Sequence, residues 1–246
     1  MMRTANPALN EKTFRTVDYT ASGETMTLEG TVNRTAILAL LVILSAMWTW
    51  KMAFANDPSV SAWTIGGAIA GFVIALVTVF KKNWAAVTAP LYALAEGLFL
   101  GGLSAIFESM YPGIVIQAVS LTFGTLVCLL LAYRSGMIKA TENFKLGIVA
   151  ATGAIGLIYL VTMGLGLFGI RMPFIHESGI VGIGFSLFVV VIAALNLVLD
   201  FDFIENGAAQ GAPKYMEWFA AFGLMVTLIW LYVEILRLLS KLRSRN

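Results

Sequence analysis

Charge, cysteine and histidine are all scarce in this chain of 246 residues, and each scarcity closes off a class of function. Only 12% of the residues are charged while 59% are hydrophobic, a balance that excludes a water-soluble globule. The single cysteine, Cys128, stands inside an apolar run, so there is no intrachain disulfide, no thiolate metal cluster and no reading of redox compartment. The single histidine, His176, falls in a loop before the sixth apolar run, so no span carries an imidazole. A Gly-x-Ser at Gly184 to Ser186 lacks the following glycine and any such base, which argues against an intramembrane serine protease. Retinal binding would need a lysine within the last helix, and Lys241 is expected past its end. Sixteen Lys plus Arg against fourteen Asp plus Glu give a net charge of +2, which leaves no basic face for nucleic acid. No enzymatic activity and no cofactor follow from this inventory.

What the chain does have is long apolar runs, at about 35 to 55, 61 to 80, 85 to 107, 113 to 133, 146 to 169, 179 to 200 and 216 to 239. Each approaches the roughly 20 residues that a helix needs to cross a bilayer. Barrel strands would instead alternate over about ten residues, so the fold class is an all-α membrane protein of seven transmembrane helices. The expected organisation is a cytoplasmic N-terminal segment over 1–34, a transmembrane domain over 35–240 and a basic tail over 241–246. Mixed charges over the first 34 residues, with no continuous apolar stretch, predict that this segment is retained and that the first span directs insertion.

Basic residues set the orientation. With the N-terminus in the cytoplasm, that side holds Arg3, Lys12, Arg15 and Arg34, then Lys81 and Lys82, Arg134, Lys139 and Lys145, and Lys214. Lys51, Arg171 and the C-terminal tail fall opposite, and only the tail disagrees with the assignment. Gly67 and Gly71, Gly97 and Gly101, and the glycines 153, 156, 164 and 166 are expected to be packing faces within the chain. Trp48, Trp50, Trp63, Trp84 and Trp218 suit interfacial anchors.

Chemistry is sought where polarity is expensive, because an ionisable group deep in a bilayer must be paired or wetted. Glu96 lies midway along the third span, beyond the reach of snorkelling, and is a candidate for an ion pathway or pH sensing; the bland alternative is a protonated glutamate bonded to a neighbouring helix. Asp200 and Asp202 close the sixth run, and with Glu205 and Glu217 they make an acidic mouth, which solvation at helix ends would also explain. Glu234 one turn before Arg237 reads as an ion pair. Oxygen ligands without nitrogen or sulfur favour hard cations, so Ca²⁺ or H⁺ is the expected traffic, with Asp200 and Asp202 as metal candidates. Carboxylates crowded in a low dielectric share protons and titrate as a coupled set, so protonation would switch such a site.

Leu199 to Glu205, then Tyr215 to Ala220 and Leu231, Tyr232 and Leu236, together with Pro90 to Gly97, resemble the Bax inhibitor 1 family; Met26 to Asn33 are most similar to its bacterial, YccA-like branch. The resemblance implies a last helix wrapped centrally by six others, a location in the bacterial inner membrane, and a pH-sensitive Ca²⁺ leak. It also implies that a carboxylate on the sixth helix, matched by Asp200, faces a second aspartate on the seventh, whose place falls at or near Thr227. Threonine cannot ionise, so Asp202 or Glu96 is left to supply a second carboxylate. The expected function is a pH-sensitive cation leak or transporter. The alternative is a non-transporting protein that regulates membrane proteases or other membrane partners.

Overall fold

Hydropathy and local capping together set where each helix begins. The computed structural model describes residues 24–168 and 179–245; Arg3, Lys12 and Arg15 of the tail, the Arg171 to Pro173 loop and His176 lie outside them. The described residues form α1 (Leu28–Phe54), α2 (Val60–Phe80), α3 (Ala85–Met110) after a 3-10 turn (Lys82–Trp84), α4 (Ile114–Arg134), α5 (Glu142–Leu167), α6 (Ile180–Ala209) and α7 (Met216–Ser244). All seven helices are long and apolar enough to cross a membrane.

The largest departures from the hydropathy reading are at three ends. Helix α1 starts at Leu28 rather than near 35, because Thr27 is extended and its hydroxyl accepts the Gly30 N–H at 2.9 Å, while Glu29 sits in the positive first turn. Helix α6 does not close at Asp200 but continues to Ala209, carried by the buried side chains of Phe203 and Ile204. Helix α7 runs to Ser244, so Lys241 lies in its last turns instead of past its end. Pro90 sits inside α3 without ending it.

The chain divides into two compact units. One comprises the described part of Lys12–Pro112 with Phe203–Val226, and the other Gly113–Asp202 with the described part of Thr227–Asn246. Helices α6 and α7 therefore contribute residues to both.

In the first unit α3 is the helix against which both α1 and α2 pack, and glycine makes the approach close. A methyl group at Gly67 would stand 2.6 Å from the Ala95 carbonyl oxygen; methyls at Gly97 and Gly101 would run into Ser45 and the Ala46 carbonyl of α1. Both GxxxG pairs are thus packing faces within the chain. The fifth-run glycines depart from that expectation: a methyl at 153, 156, 164 or 166 would meet nothing within 4 Å. The segment before α1 is strapped to the α6–α7 loop, where Met26 N–H donates to Ala212 O at 2.6 Å and Lys214 N–H to Glu24 O at 3.2 Å. Burial is uneven. It reaches 78% of the most apolar stretch of α7 and falls to 11% in α5.

Candidate functional site

Glu96 projects from the middle of α3 and is half-buried, with its carboxyl group against Gly71 of α2, where a Cβ would lie 2.6 Å from Oε1. Gly71 of the first GxxxG pair thus makes room for the carboxylate midway along α3. Glu205 and Glu217 belong to the same unit. Glu217 is completely buried, not a solvated residue of an acidic mouth. Its Oε1 accepts the Thr27 N–H at 3.0 Å and the Thr27 hydroxyl at 2.8 Å, and Lys214 and Arg34 approach at 3.3 and 3.7 Å. The Arg34 guanidinium also stacks over the Trp218 ring at 5.0 Å. Glu217 closes the N-terminus of α1, where a carboxylate meets both orphan N–H groups and the positive end of the helix dipole.

Asp200, Asp202 and Thr227 belong to the other unit. Asp200 is fully buried on α6 and Thr227 nearly so on α7. Asp202, two residues on, pairs at 2.7 Å with Lys145 of α5, itself buried and 3.6 Å from Glu142. A lysine at this depth is held by its acids, since an unpaired charge there would cost several kcal/mol. One turn along α6 from Asp200, Asn196 donates to Thr152 Oγ at 2.9 Å and to Ile192 O at 2.8 Å.

The opposite end of this unit ties Glu234, Arg237 and Lys241 to partners on α5 and α6 that the sequence reading left out. The Tyr159 hydroxyl donates to Glu234 Oε1 at 3.0 Å, and Arg237 Nη1 donates to the same oxygen at 2.9 Å and to Tyr159 Oη at 3.0 Å. The expected Glu234–Arg237 ion pair is present, and α5 joins it. Beyond it the buried Lys241 ammonium donates to Ser186 Oγ at 2.9 Å and Gly182 O at 3.1 Å on α6. A signal for these residues was in the sequence: Lys145, Thr152 and Tyr159, and again Thr227, Glu234 and Lys241, recur every seven residues, which is one face of a helix.

Among the described residues no three of His, Cys, Asp and Glu gather as a metal-holding group. Asp202, Glu217 and Glu234 have bases and hydroxyls as neighbours instead. Outside the spans, Asp57 accepts the Ser59 N–H and hydroxyl at 2.8 and 2.7 Å, which hold its carboxyl below the usual carboxylate range.

A family model described as Bax inhibitor 1 like matches residues 6–244. No curated protein and no solved structure matches the chain.

Proposed function

The chain belongs to the Bax inhibitor 1 like family, and from that premise we propose that it is a pH-sensitive cation leak, with Ca²⁺ as its principal ion, in a bacterial inner membrane with the N-terminus cytoplasmic. The observation that carries the reading is Asp200: a carboxylate with no exposed surface, inside a helix built to cross the bilayer and two residues from the Lys145–Asp202 pair. Membrane carboxylates so placed are the usual material of ion pathways and proton-driven switches. The resemblance of Met26 to Asn33 supports the YccA-like branch. Glu96, with its carboxyl group in the α2–α3 groove, is the second candidate for sensing pH. The reading assigns no enzymatic activity and no resident cofactor.

Purified protein in liposomes tests it. Wild type should pass Ca²⁺ at a rate that varies with pH, Asp200→Asn should remove that variation, and Thr227→Asp should move the midpoint of the flux to higher pH by adding a second carboxylate. An unchanged Thr227→Asp midpoint with Asp200→Asn still pH-responsive would move the gate to Glu96. No flux at any pH would overturn the reading in favour of a non-transporting partner of membrane proteins.

A further inference from the structure

We propose that the α5–α6–α7 seam of the second unit is a proton route across the membrane, closed in this structure by an apolar plug of Ile155, Val189 and Ile192. The proposal rests on the transport reading above and names a substrate for this part of it.

Seven-residue spacing on α5 and α7 is the first ground. Lys145, Thr152 and Tyr159 share one face of α5, and Thr227, Glu234 and Lys241 one face of α7. The Tyr159–Glu234 bond joins these faces at 3.0 Å. One seven-residue step back on each helix, about 10 Å at 1.5 Å per residue, brings Thr152 and Thr227 to a common level. Helix α6 supplies the third side, with Asp202 bonded to Lys145, Asn196 to Thr152 and Ser186 to Lys241. Polar stations thus recur from one end of these helices to the other. Asn196, Ser186, Glu234 and Lys241 are all buried.

The plug is the second ground. Ile155 falls between Thr152 and Tyr159, and it forms a buried cluster with Val189 and Ile192 against which Tyr159, Phe185 and Trp230 pack. This is the arrangement of a hydrophobic constriction, which stops conduction by excluding water and opens when it wets. Packing alone would not call for a polar file on both sides of it.

The chemistry of the stations selects the ion. Along the seam Asp202 is held by Lys145 and Glu234 by Arg237, so these acids are matched by bases and leave little negative charge for a divalent cation. Ca²⁺ takes six to eight oxygen ligands, and among the described residues no three acidic side chains gather. Hydroxyl and carboxyl groups, by contrast, accept a proton on one side and release one on the other, as the Tyr159–Glu234 pair is placed to do.

The experiment follows proton entry into liposomes loaded with a pH dye and voltage-clamped with K⁺ and valinomycin, and Ca²⁺ entry in parallel samples. Wetting the plug with Ile155→Ser, or with the nearly isosteric Val189→Thr, should raise proton flux at least tenfold. Adding Tyr159→Phe or Glu234→Gln to either variant should return it to the wild-type rate. A folded Val189→Thr protein with wild-type proton flux would overturn the proposal, as would a raised flux indifferent to Tyr159→Phe and Glu234→Gln. Ca²⁺ flux without any proton response in the plug variants sinks the seam and leaves the leak standing. The proton responses without Ca²⁺ flux support the seam and sink Ca²⁺ as the principal ion.

Discussion

Glu217 shows how far a single side chain can depart from what its position suggests. By sequence it opens the last span beside other acids, yet it is fully buried and bonded to Thr27, 190 residues away. Removing one member of a buried charged pair leaves the others uncompensated, typically at about 3 kcal/mol or more. Glu217→Ala should therefore lower the unfolding midpoint in detergent clearly, and Glu217→Gln, which keeps an acceptor for Thr27, by less. Equal midpoints for Glu217→Ala and wild type would refute the capping role. Such a role is invisible to local pattern, because the acid and the helix it caps are joined only by the fold. Asp57 carries a pH prediction at the same scale. Its carboxyl is held low by Ser59, so the contribution is present above its unfolded value and lost as pH falls through the folded value. Asp57→Asn should remove that part of the acid sensitivity of the α1–α2 turn, measured by hydrogen exchange at Ser59.

Helices were legible as elements because hydropathy is a local sum, and apolar runs of this length have no other stable form in lipid. Their ends were less so. Past Asp200 the residues turn polar, but Phe203 and Ile204 are buried and the helix continues to Ala209; only tertiary packing distinguishes that from a loop. Glycines divide the same way. Gly97 and Gly101 let α1 and α3 touch, whereas Gly153 and Gly156 face open space, and composition alone treats all four alike. A Cβ at Gly101 meets backbone that cannot move aside, so Gly101→Ala should destabilise the protein. Gly153→Ala should be neutral or stabilising by up to about 1 kcal/mol, from helix propensity alone. Unfolding midpoints in one detergent decide this, and a loss for Gly153→Ala equal to that for Gly101→Ala would mean that α5 packs on something through this face. The polar seam was missed for another reason: Lys145, Thr152 and Tyr159 differ in type, so a search for deep carboxylates passes over them although their spacing is regular.

For the whole chain the remaining question is which way it faces, and the basic C-terminal tail is the one conflict in the charge pattern. Basic residues near the ends of short-looped spans resist translocation, and Arg34, Lys81, Lys82, Arg134, Lys139 and Lys145 all flank the same side. Seven spans then carry the basic C-terminal tail to the other side. Most of that charge is paired in the folded protein: Arg237 is held by Glu234, Lys241 donates to Ser186 and Gly182, and Arg243 donates to Gln117 at 3.0 Å. Arg134 and Lys139 bracket the α4–α5 loop without such depth and should hold it in the cytoplasm. In a Cys128→Ser background, Ser135→Cys should resist an impermeant thiol reagent added outside intact cells, and Ala55→Cys, in the exposed α1–α2 turn, should react. The reverse pattern would invert the orientation and put the Lys145–Asp202 end of the seam on the outer face.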